Sequence, residues 1–89
     1  MPEERQTLLQ FPCEFPLKIM GLAAEDFILL VTEIVTRHAG PLRDDAIRHR
    51  PSQQGKYLAL TVIVEATSQT QLDDLYRELS AHERILMVL

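Results

Sequence analysis

At 89 residues the chain has room for one domain with a compact core and short loops, not two. Its 46% hydrophobic and 25% charged residues are those of a soluble globular protein and exclude a disordered one. A net charge of −4 argues against a general affinity for nucleic-acid backbones, and the single cysteine, Cys13, excludes an intrachain disulfide and a paired-cysteine metal site.

The first residues, MPEERQ, are acidic and polar, unlike a secretory leader, and no apolar run is long enough to span a bilayer. The expected location is therefore the cytoplasm. Residues 1–14 read as a polar tail and an ordered lead-in. Pro12 and Pro16 forbid a helix there, and Leu8, Leu9 and Phe11 are expected to pack on the flank of a single domain over 15–89. A first strand is expected from Phe15 to Met20, ended by Gly21.

From Ala24 to Ala39 the apolar period changes to that of a helix. Phe27, Leu30, Val31, Ile34, Val35 and His38 fall on one face, Glu25 and Asp26 in the first turn and Arg37 in the last. Gly40 and Pro41 then stop it. LRDDAIRHR, between Pro41 and Pro51, suits a charged edge strand. The SQQG turn, in which Gly55 can take a positive φ, should join that strand to the next as a hairpin.

In YLALTVIVEA the residues Leu58, Leu60, Val62, Val64 and Ala66 share one wholly aliphatic face, which should meet the helices. Tyr57, Ala59, Thr61, Ile63 and Glu65 share a mixed face open to water or a partner, where Lys18 and Met20 are expected beside Ile63 and Glu65, with a Lys18–Glu65 cross-strand pair. Ser68 and Gln71 have the spacing of a capping box, and Leu72, Leu75, Tyr76 and Leu79 stripe a second helix. RILMVL closes the order βαββαβ. Right-handed crossovers then give an α+β, ferredoxin-like sandwich, with two helices on one face of a four-stranded antiparallel sheet.

This architecture hosts many activities, so function has to come from sites. RNA recognition would need stacking rings on the central strands, where Ala59 and Ile63 stand instead. The loop GLAAED has no soft metal ligand and no cation for an anion cradle. His38 extends the first helix's apolar stripe and is expected to pack there and meet the last carbonyls. His49 and His82 have no carboxylate at a useful spacing, and the pairs Asp44–Asp45 and Asp73–Asp74 do not converge on one atom. No catalytic set, metal site or cofactor is expected. The candidate partner-binding residues are Arg48, His49, Arg50 and Lys56, with Arg43, which make the hairpin end locally basic. The plainer role for them is to guard an edge strand against aggregation.

Taken in order, LLQFPCEFPLKIMG, the helix ending in RHAG, PSQQGKYLALTVIVEAT and LDDLYRELSAHERILMVL resemble the bacterial YbeD family from Leu8 to Leu89. The marks are Phe11, Pro12, Phe15, Pro16, Lys18, Met20 and Gly21, the hairpin residues Ser52, Gly55 and Tyr57, and the final Met87, Val88 and Leu89. The resemblance implies a small cytoplasmic bacterial protein whose fold is similar to ACT-type regulatory domains, often encoded near lipoate-attachment enzymes. Such domains bind amino acids or related ligands near the loop after the first strand, which singles out Gly21, Leu22 and Ala23, although GLAAED lacks the Gly-rich or Asn-bearing form of that loop. The expectation is a non-enzymatic regulatory or protein-interaction module whose partner is another protein. The alternative is an ACT-like sensor of an amino acid or carboxylate, acting as a dimer. Neither reading involves nucleic acid or a membrane.

Overall fold

The computed structural model describes residues 10–89. Its elements are β1 (Cys13–Leu22), α1 (Phe27–Ala39), β2 (Ile47–Pro51), β3 (Tyr57–Ala66), α2 (Gln69–Ala81) and β4 (Ile85–Val88). The strands form one antiparallel sheet in the order β2-β3-β1-β4, the ferredoxin-like arrangement. The expectations for Met1 to Gln6, Leu8 and Leu9 lie outside the described residues, and Phe11 packs half-buried against the core.

The core is the aliphatic face of β3 covered by both helices. Leu58, Leu60, Val62, Val64 and Ala66 meet Leu17 and Ile19 of β1, Phe27, Val31, Ile34 and Val35 of α1, and Leu72, Leu75 and Leu79 of α2 in one continuous cluster. Each of the large side chains is all but fully buried, which stabilises the fold by about 1.5–3 kcal/mol apiece before conformational entropy is counted. Among the described residues, no helix lies over the other face of the sheet. There Tyr57, Ala59, Thr61 and Ile63 are half-buried and Glu65 exposed.

Local signals set the element ends. Ser68 caps α2, its hydroxyl accepting from the Gln71 amide at 3.0 Å, while Gln71 Oε1 accepts from the Thr67 amide at 2.7 Å. This is the expected capping box with its return bond displaced by one residue. Gly55, at φ 72°, turns the β2–β3 hairpin, and the Gly40 amide closes α1 on the Thr36 carbonyl.

Three expectations are corrected. Strand β1 is longer at both ends than Phe15–Met20, beginning at Cys13 inside the supposed lead-in and running through Gly21 to Leu22. Gly21 does not end the strand. It is buried because the Phe27 ring lies directly on it. Helix α1 begins at Phe27, so Asp26 is its N-cap and no acidic residue lies in its first turn. The register also differs. Lys18 opposes Thr61 and Met20 opposes Ala59, while Glu65 opposes Glu14. The Lys18–Glu65 pair therefore does not form. In the observed register all ten residues of β1 face all ten of β3, and any slip would leave ladder bonds unmade and part the buried pairs Leu17–Val62 and Ile19–Leu60.

Candidate partner-binding face

The uncovered face of the sheet is built in rows by the strand register. One row runs Arg48, Thr61, Lys18, with Leu89 bonded to Lys18 through both backbone groups at 3.1 and 2.7 Å. The next runs Arg50, Ala59, Met20, Met87. Together they line a depression of about 390 Å³ with a largely apolar floor, Arg48 and Arg50 on its β2 side and Lys18 on its β1 side. Alternation places them there, since residues two apart along a strand share a face.

Among the described residues, no carboxylate lies within 4.0 Å of the side-chain nitrogens of Lys18, Arg48 or Arg50. The acidic groups of the same face, Glu14 and Glu65, stand opposite each other at its far end, and Arg43 takes Glu14 at 3.1 Å. Three cations thus share one patch of a chain whose net charge is −4. Charge of one sign around an apolar floor steers and retains an oppositely charged partner.

The structure divides the basic residues singled out in the sequence. Arg48 and Arg50 point to the open face, whereas His49, opposite Leu60, belongs to the helix side at the sheet edge. Lys56 lies in the hairpin turn, its ammonium 5.5 Å from the centre of the Tyr57 ring. Arg43 lies at the other end of β2, in the loop that follows α1. Lys18, from β1, joins the patch instead. No sequence spacing reveals this, because Lys18 and Arg48 come into one row only through two successive strand registers, each opposite Thr61.

The loop residues implied by the resemblance also have definite places. Gly21 is covered by Phe27, Leu22 and Ala23 are exposed, and the Ala23 amide donates to the Lys56 carbonyl at 2.9 Å. A second groove, of about 690 Å³, lies along the far half of β3 beside half-buried Cys13, and Arg43 lines it with Glu14 and Asp45.

Two charged contacts across the fold were not legible in the sequence. The Arg84 guanidinium grips both carboxylate oxygens of Asp26 at 2.7 and 3.1 Å and holds that carboxyl below its ordinary range. Glu78 of α2 meets His38 Nε2 and Arg37 Nη2 of α1, each at 2.6 Å, and the hydrogen bond with His38 is the main cause of its lowered pKa. His38 therefore does more than continue an apolar stripe. Its ring reaches the neighbouring helix, and its carbonyl accepts from Gln71 Nε2 at 2.9 Å. The contacts of Glu78 and Gln71 join the two helices, on the side of the sheet away from the basic patch.

The family model described as "Protein of unknown function (DUF493)" matches residues 6–89. A UPF0250 protein of Chromobacterium violaceum is 46% identical over 89 residues, covering 100% of both chains. One from Janthinobacterium sp. is 44% identical over 84 residues, covering 94% of this chain and 92% of its own. The solution structure of protein HP0495 from H. pylori superposes with a TM-score of 0.74 at 12% identity, covering 91% of this chain and 85% of that one, a likeness of fold. With the match spanning nearly every residue and such relatives aligned along their whole length, the chain belongs to the DUF493 (UPF0250, YbeD-like) family of small bacterial proteins.

Proposed function

We infer that this chain is a non-enzymatic, cytoplasmic regulatory module that acts by binding an acidic protein on the open face of its sheet. The observation that carries the reading is the cluster of Lys18, Arg48 and Arg50, without carboxylate partners among the described residues, beside Met20, Ala59, Met87 and Leu89. A surface that only resisted aggregation would need charge along the edge strand; it would not need Lys18, from an inner strand, to join. The small-ligand reading at Gly21, Leu22 and Ala23 draws less support. The Phe27 ring fills the space over Gly21, and the Ala23 amide is already bonded.

The test is affinity capture with the wild-type chain, an Arg48→Glu/Arg50→Glu variant and an Arg77→Glu control on the opposite, helical side. The expected result is an acidic partner held by wild type and control and lost by the double variant. That partner should also be released as salt shortens the Debye length from about 10 Å at 0.1 M to about 3 Å at 1 M. Retention of the same proteins by the double variant, with all three chains melting alike, overturns the reading.

A further inference from the structure

Among the described residues, the outer edge of β2 has no neighbouring strand, and its backbone chemistry is set by the register with β3. Ile63 donates to the Ala46 carbonyl at 2.8 Å and Ser52 to the Tyr57 carbonyl at 2.9 Å. By the alternation of an antiparallel ladder, Ala46, Arg48, Arg50 and Ser52 turn their backbone groups toward β3, and Ile47, His49 and Pro51 turn theirs outward. Among the described residues nothing bonds those outward groups, and β2 has no neighbour on that side. Pro51 contributes a carbonyl and no N–H, so the usable edge is short.

We propose that an extended acidic segment of another protein adds to β2 as a fifth strand, with carboxylates at alternate positions facing Arg48 and Arg50. The inference rests on the acidic-partner reading and sharpens it. The residue opposite His49 exchanges both backbone bonds with it. Its two neighbours then stand opposite Arg48 and Arg50 in the pairs that lack hydrogen bonds, where Cα atoms are about 4.5 Å apart and side chains are closest. The recognised pattern is therefore acidic–any–acidic, not two adjacent acids. Lys18, two strands further in on the same face, adds a third positive charge to the patch. A second copy of this chain does not suit the edge, because antiparallel pairing about His49 sets Arg48 and Arg50 against the same residues of the copy.

Two synthetic peptides of equal composition, one with alternating and one with adjacent carboxylates, are titrated against the full chain by fluorescence anisotropy. Amide hydrogen exchange is followed in parallel. The alternating peptide is expected to bind about tenfold more tightly and to protect the Ile47 and His49 amides. N-methylation of its central residue should abolish binding, whereas N-methylation of a flanking acid, whose amide points outward, should not. Arg48→Glu/Arg50→Glu should lose this peptide and gain one with lysines at the alternating positions, which shows that the variant is folded. Equal binding of both peptides with no protection at His49 overturns strand addition and leaves the acidic-partner reading standing. Failure of every acidic peptide overturns both. Protection of His49 that rises with protein concentration in the absence of peptide assigns the edge to a second copy and overturns the proposal.

Discussion

Gly21 shows how much one residue can depend on another that is six positions away. A Cβ built at Gly21 would lie 2.6 Å from the Arg84 carbonyl oxygen and closer still to the Phe27 ring. The ring cannot retreat, because Phe27 is wholly buried. Gly21→Ala should cost about 1–3 kcal/mol in denaturant unfolding, the usual penalty of overfilling a packed site. The cost should shrink in a Phe27→Leu background, since touching residues are energetically coupled. A Gly21→Ala chain within about 0.5 kcal/mol of wild type, the range of an ordinary surface change, would show that the contact is not made. Asp26 illustrates a second kind of dependence. It stands at the N-cap of α1, but its carboxylate is held by Arg84 and makes no cap bond.

At the scale of elements, the helices are joined at one end by polar contacts that their apolar stripes do not announce. Gln71 completes the cap of α2 and also donates to the last turn of α1, and Glu78 receives both Arg37 and His38. Glu78 therefore has a folded-state pKa below its unfolded value. The unfolded chain binds the proton more readily, so this contribution is fully present above the unfolded pKa and is lost as pH falls through the lowered folded value. Asp26 acts in the same direction through Arg84. Stability measured by urea unfolding should decline as pH drops from about 5 to about 3, and Glu78→Gln should both lower the neutral plateau and flatten that decline. A variant curve running parallel to wild type through this range would remove Glu78 from the acid response. The strands were legible for the opposite reason. Leu58, Leu60, Val62, Val64 and Ala66 alternate within ten consecutive residues, so the buried face could be read without knowing what covers it.

For the whole molecule, one core under one sheet means that stability is shared. Leu60 is 1% exposed at the centre of that core. Leu60→Asp should abolish the cooperative thermal transition, because an unpaired buried charge costs several kcal/mol against a total stability of about 5–15 kcal/mol. A melt near the wild-type midpoint would refute the placement of β3. The same architecture leaves the two sheet edges unlike. Edge β2 carries Arg48, His49, Arg50 and Pro51, while β4 is four residues long and irregular in its pairing with β1. Charge and proline guard one edge, and shortness and a bulge the other. The first also carries Arg48 and Arg50, on which the proposed strand addition rests.

The order βαββαβ, the aliphatic side of β3, the cap of α2 and the turn at Gly55 were determined by the sequence alone. Each depends on residues within a turn or a strand of one another, so periodicity and local hydrogen bonding suffice to reveal it. The tertiary structure alone decided which residues of β1 face which of β3. That register separated Lys18 from Glu65, set it in one row with Arg48 across β3, and sent His49 to the other side. It likewise decided the burial of Gly21 under Phe27 and the pairing of Asp26 with Arg84 across 58 residues. Such contacts follow from how separate elements slide and rotate until their apolar faces pack, and no spacing along the chain encodes that distance.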